Sequence, residues 1–175
     1  LLLAGVAVGY AMSAFTSFLI FASGSAEGAR SVMFWLLGSL SLASWGTPLL
    51  AVLLIAVTTS FIMTVSGTQL DALALGDETA LSLGVHPDRT RTWLLALVSL
   101  CVGVSVAAAG SIGFIGLVIP HLARRAVGAV HKRVVPIAAL MGGILLVWAD
   151  VAALTVLAPQ EIPIGIFTAM VGAPF

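Results

Sequence analysis

Long apolar runs alternate with short polar stretches along this chain, and the longer runs reach the roughly 20 residues that a helix needs to cross a bilayer core. Residues 1–22 form the first. A second opens at Thr47 and Pro48, an N-cap and first-turn pair, and continues to about Val65. A third covers about Arg91 to Gly110 and a fourth about Val134 to Leu157, while Ile162 to Phe175 begins a further one. A membrane β-barrel would instead show alternating segments of about ten residues; these runs are continuous. The pattern predicts an all-α, polytopic transmembrane helical bundle, a single membrane domain over residues 1–175.

Shorter elements fall between the spans. The apolar piece Ser31 to Leu40 is too short to cross and predicts a helix at the interface, with Trp35 and Trp45 as interfacial aromatics. From Ser66 to Thr92 the chain is most polar. Thr68 can cap a helix over Gln69 to Leu75, Gly76 breaks it, Asp77 can cap Glu78 to Leu83, and Gly84 stands where a helix would end. Leu70, Leu73, Leu81 and Leu83 give each piece a partly apolar face. Two capped short helices exceed what a connection needs, so the segment reads as a docking knob for a cytoplasmic partner or, failing that, as a solvated loop. Residues 111–123, SIGFIGLVIPHLA, carry Gly113, Gly116 and Pro120 and predict a half-length or broken helix before a loop from Arg124 to Arg133. Irregular backbone at that depth must be satisfied by protein or by a wet cavity.

Composition agrees with the pattern: 61% of the residues are hydrophobic and 8% charged, against about 45–50% and about 25% in soluble domains. Zero net charge excludes a basic field for nucleic acid. The placement of the cations matters more. Six of the seven Lys and Arg lie at Arg89, Arg91, Arg124, Arg125, Lys132 and Arg133, so both stretches are cytoplasmic by the positive-inside rule. The first span then runs outward, the interfacial helix lies outside, the second span returns, and the chain between the two basic stretches goes out and comes back. The chain starts at Leu1 in mid-run and stops at Phe175, which reads as a piece of a longer protein with earlier spans and the last helix end missing.

Candidate chemistry is sparse. No GxxxxGK[ST] loop is present, so an ATPase must be another chain; HExxH and GxSxG are absent too. No cofactor or metal site is expected, and the single cysteine, Cys101, reads as an inert thiol. Gly5, Gly9, Ser13 and Ser17 form a small-residue stripe, a packing face for another helix or a lining that leaves room for a solute. Asp150, the one acid well inside a span, is either a functional carboxyl or one that fixes helix packing. His121 follows Pro120 and reads as structural, its ring satisfying a carbonyl that the proline frees. Glu161 caps the turn before the last segment or docks an external protein.

The stretches LALGDETALSLGV (73–85), AAAGSIGFIGLVIPHLAR (107–124), EIPIGIFTAMVGAPF (161–175) and FWLLGSLSLASW (34–45) resemble the FecCD-type permeases of ABC importers for iron-siderophores, haem and cobalamin. The resemblance covers essentially the whole chain and corresponds to the C-terminal half of such a permease. It implies a homodimer or pseudo-dimer of ten-span subunits in the inner membrane, two cytoplasmic ATPase subunits and an extracytoplasmic solute-binding protein. Gly76, Asp77, Glu78, Ala80, Leu83 and Gly84 would be the coupling segment seated in the ATPase. Phe34, Trp35, Gly38 and Ser39 would stand by the outer mouth, and Gly5, Gly9 and Ser13 would line the path. In cobalamin permeases an arginine helps dock the binding protein; the matching position is Leu154, which tilts the expected cargo toward an iron chelate. The rival readings are an ion-coupled secondary transporter, which the broken segment 111–123 would suit, and a membrane assembly subunit with no conduit.

Overall fold

The computed structural model describes residues 2–22, 24–40, 45–156 and 162–173, and in these it is helical, with no strand among the described residues. The spans come first in order of length and apolarity: α1 (Leu2–Ala22), α3 (Thr47–Val65), α6 (Pro87–Ala109) and α8 (His131–Thr155) are each long and apolar enough to cross a membrane. Between them lie α2 (Ala26–Leu36), α4 (Gly67–Ala74), α5 (Asp77–Ser82), α7 (Ile115–Val127) and α9 (Ile164–Gly172).

Helix α8 is the centre of the packing. It lies against α7, α3, α4 and α9, while α3 also packs on α6, α5 on α6, α7 on α9, and α1 on α2. Small side chains make these approaches possible: Ala123, Ala149, Ala153 and Thr59 are buried at the helix contacts, as expected where lipid removes the hydrophobic drive between helices and close packing replaces it. Most large apolar side chains face outward, Phe18, Phe61, Leu95 and Trp148 among them. Several hydroxyls inside the spans bond back to their own helix, as Thr58 Oγ1 does to the Leu54 carbonyl (2.6 Å) and Ser105 Oγ to that of Cys101 (2.8 Å), which satisfies them without a partner helix.

Several boundaries differ from expectation for local reasons. The interfacial helix is Ala26–Leu36, not Ser31–Leu40: Ser25 accepts the Gly28 N–H on its hydroxyl (3.1 Å) and starts the helix earlier, and Gly38 at φ +81 stops it. Thr47, Thr68 and Asp77 are not N-caps. Gly46, Ser66 and Gly76 hold those positions without side-chain cap bonds, so each helix begins at or before the expected capping residue. Helix α6 starts at Pro87 rather than near Arg91, with the proline in its first turn. Helix α7 runs through Arg124 and Arg125 to Val127, so the predicted Arg124 to Arg133 loop shrinks to residues 128–130. At 13 residues, about 20 Å, it is still too short to span.

The irregular segment before α7 touches protein at Gly110 and Phe114, while Ser111 and Gly113 are exposed. Gly110 is so close to α2 that an added Cβ would overlap the Trp35 carbonyl oxygen and stand 3.0 Å from the Gly38 Cα. Phe114 takes φ +65, the one positive value at a non-glycine among the described residues, and its side chain fills the space that a Cβ on Gly172 would need.

Candidate functional site

The polar contacts sort into two ends of the bundle. At one end lie α4, α5, the first turns of α6 and α8, and the basic stretches; this is the cytoplasmic end by the positive-inside rule. At the other, the C-terminal turns of α2, α6 and α8 meet the start of α9.

The cytoplasmic end is built around Gly76 and Gly84. Gly76, at φ +110, lets α4 stop and α5 start at once, its carbonyl accepting the Ala80 N–H (3.0 Å). Gly84, at φ +78, closes α5: its N–H reaches the Leu81 carbonyl (3.0 Å) and the Val85 N–H that of Ala80 (2.9 Å), the paired bonds of a Schellman ending. The apolar faces then part company. Leu70 and Leu73 are half-buried and Ala72 and Ala80 buried, whereas Leu75, Leu81 and Leu83 are 69%, 54% and 63% exposed on the cytoplasmic side. Apolar side chains grouped in water mark a contact surface.

Two polar clamps hold this pair of helices to the spans. Asp77 and Arg91 form a two-pronged ion pair, with Nη2 to Oδ1 at 2.6 Å and Nη1 to Oδ2 at 3.1 Å, joining α5 to α6. Asp71 on α4 accepts the backbone N–H of His131 (3.1 Å) and lies 2.5 Å from its Nδ1. The carboxylate therefore caps α8 from another element, next to the positive end of the helix dipole. Beside it, a Cβ on Gly67 would stand 2.6 Å from Lys132 Cγ and 2.8 Å from Lys132 N, so α4 rests directly on the start of α8. The ring of His131, with its backbone N–H and charge and that of Lys132, holds the Asp71 carboxyl below its ordinary value of 3.8 against a smaller opposing effect of burial. In the sequence Arg91 stands out only as part of a basic stretch, and Asp71 and His131 do not stand out at all, because partners 14 and 60 residues apart leave no local signal.

At the outer end, Gly38 is buried, and backbone hydrogen bonds tie its neighbours to α6 and α9. The Ser39 N–H donates to the Ala109 carbonyl (3.0 Å), while the N–H groups of Ile164 and Gly165 donate to the carbonyls of Gly38 and Leu37 (3.0 Å each). Phe34 and Trp35 sit one turn back on α2, 53% and 39% exposed. A cavity of about 520 Å³ opens nearby, lined by Ser39, Val52, Cys101, Ser105 and Gly116 among others.

The other expected site residues stand apart. Gly5, Gly9 and Ser13 are exposed on α1, the two glycines with nothing within 4 Å of an added Cβ, and none borders that cavity. Gly113 likewise has open space around it, and Gly116 lies in the first turn of α7. Pro120 stands inside α7, but the His121 ring bonds no carbonyl among the described residues; it is exposed and borders a smaller cavity with Arg125 and Phe114. Asp150 is half-buried with no ion-pair or hydrogen-bond partner among the described residues. Glu161 lies outside the described residues.

Comparison with known proteins gives a concordant result. Residues 1–175 match the FecCD transport family. The chain is 42% identical over 175 residues to a hemin transport system permease of Yersinia pestis, covering all of this chain and 52% of that protein. It is 43% identical over 175 residues to a cobalamin import system permease of Halobacterium salinarum, covering 100% of this chain and 46% of that one. With an Fe(3+) dicitrate transport system permease of Escherichia coli it shares 38% over 179 residues, 100% of this chain and 54% of the relative. The chain thus spans about half the length of these relatives. A solved structure described as an inward-facing conformation of a metal-chelate type ABC transporter superposes with a TM-score of 0.91 at 35% identity, covering 97% of this chain and 55% of that one.

Proposed function

The chain belongs to the FecCD transport family, and on that premise we propose that it forms part of the translocation path of an ATP-driven importer of metal chelates. It is a multi-pass protein of the inner (plasma) membrane, with four helices long enough to cross it. The observation that carries the proposal is the cytoplasmic pair α4 and α5. Its outward leucines, Leu75, Leu81 and Leu83, would enter a groove of a separate ATPase subunit, and Gly76, Asp77, Glu78, Ala80 and Gly84 would give the segment its shape. The reading assigns ATP hydrolysis to that partner and no chemistry to this chain.

The remaining assignments follow from the same reading. Phe34, Trp35, Gly38 and Ser39 would border the outer mouth, facing an extracytoplasmic solute-binding protein that Glu161 helps to dock. The open stripe of Gly5, Gly9 and Ser13 would face the path beside a second permease subunit, identical or paralogous. Gly113, Gly116, Pro120, His121 and Asp150 would shape the half-length helix and its surroundings. The cargo proposed is an iron-siderophore complex. Relatives named for hemin, cobalamin and ferric dicitrate support the metal-chelate class, and Leu154 in place of a docking arginine supports iron over cobalamin. Gly84→Pro in the full-length permease removes an N–H used in the α5 ending. It should abolish ATP-driven uptake while membrane insertion stays normal; unchanged uptake refutes the coupling role.

A further inference from the structure

The two cytoplasmic clamps lead, along different helices, to the same three residues at the outer mouth. From Asp77 and Arg91 the route is α6 itself, 23 residues that end on Ala109, whose carbonyl holds the Ser39 N–H. From Asp71 and His131 the route is α8, 25 residues long. Its outer end buries Ala149 and Ala153 with Ile164, and the Ile162 N–H bonds the Ala153 carbonyl (3.3 Å). Ile164 and Gly165 in turn hold the carbonyls of Gly38 and Leu37.

We propose that Asp71 with His131, and Asp77 with Arg91, are positioning pairs that fasten the ATPase-docking helices to two parallel rods, α8 and α6, which jointly set the α2 turn Leu37–Ser39 at the outer mouth. The proposal rests on the importer reading above. Helix α6 is unbroken after Pro87 in its first turn, and α8 is unbroken from Pro136, in its second turn, to Thr155; packed interfaces along such helices switch between arrangements rather than deform. The weak links are the ends. At the outer end, backbone hydrogen bonds and contacts too close for a Cβ leave little slack, since Gly110 and Gly165 lie directly against the Trp35 and Leu37 carbonyls. At the cytoplasmic end, α5 joins α6 through a turn containing Gly84 at φ +78, and α4 meets α8 across 60 residues of sequence. Without the clamps, the docking helices could move while the rods stayed still.

The test uses the full-length permease with its ATPase and binding protein in liposomes, and reads solute imported per ATP hydrolysed. Arg91→Ala and Asp71→Asn should hydrolyse ATP at near the wild-type rate, while the import ratio falls about fivefold in Arg91→Ala, the factor a well-formed exposed pair is worth, and at least as far in Asp71→Asn, whose part-buried carboxylate meets both the backbone N–H and the ring of His131. The charge exchange Asp77→Arg with Arg91→Asp should restore much of the ratio. In a full-length background stripped of its cysteines, Cys101 included, Met33→Cys on α2 reports the outer end through its rate of reaction with a membrane-impermeant thiol reagent. ATP should change that rate in the otherwise wild-type protein, and the change should shrink in both clamp variants. A wild-type import ratio and an unaltered labelling response in both variants would overturn the proposal. So would clamp variants whose only defect is loss of assembly with the ATPase, because that marks a structural role only. Failure of the wild-type complex to import with ATP would instead sink the importer reading.

Discussion

Replacing Gly165 by alanine is a sharp probe of the outer junction. The new Cβ would overlap the Leu37 carbonyl oxygen and stand 3.2 Å from the Ser111 carbonyl oxygen, both backbone atoms with no rotamer to yield. The start of α9 must therefore lift from the α2 turn by roughly an ångström, enough to break the 3.0 Å bonds from Ile164 and Gly165 to the carbonyls of Gly38 and Leu37. Ile164 is 2% exposed and Gly38 is buried, so water does not replace the lost partners. At about 1–2 kcal/mol for each stripped bond the loss is about 2–4 kcal/mol, offset by about 1 kcal/mol from the better helix propensity of alanine. The net loss of about 1–3 kcal/mol should lower the thermal midpoint of the detergent-purified full-length permease by a few degrees. A midpoint within about one degree of wild type would refute the close contact.

Gly9→Ala on α1 is the contrasting substitution, since nothing lies within 4 Å of the added Cβ. If the stripe faces the path it should leave stability unchanged or raise it by up to ~1 kcal/mol, and a thermal midpoint several degrees lower would show instead that another helix packs there. Ala80 is 0% exposed, so Ala80→Leu should cost about 1–3 kcal/mol by overpacking and weaken ATPase co-purification; undiminished recovery of the ATPase would contradict the seating of α5. The Asp71 carboxyl is held below 3.8 in the folded protein, so its contribution is fully present above that value and is lost as pH falls through the lowered folded one. Stability curves of wild type and Asp71→Asn should be separated near neutral pH and converge in strong acid; parallel curves down to that range would contradict the clamp.

The spans were legible because hydrocarbon demands long apolar helices, and α1, α3 and α8 lie close to where hydropathy places them. Helix starts were less so. Ser66, Gly67 and Thr68 are all competent N-terminal residues, and tertiary contact between Gly67 and Lys132 decides among them. Gly76 and Gly84 were readable as punctuation, since their backbone angles suit glycine. The clamps were not, because a carboxylate in a polar stretch has many possible cations and only the folded chain brings Arg91 and His131 to theirs. The outer junction left the faintest trace, as backbone hydrogen bonds carry no side-chain signature; the glycines at 38, 110 and 165 marked the close approach.

The proposed role of this chain is in the membrane path of an ATP-driven metal-chelate importer. Its most direct test is uptake into proteoliposomes holding the full-length permease, its ATPase and its binding protein, with ferric siderophores, haem and cobalamin offered side by side. The account predicts accumulation of a ferric siderophore that requires ATP hydrolysis and survives collapse of every ion gradient. Uptake that persists without ATP and fails with the ion gradient, or no flux of any chelate through an intact complex, would contradict it.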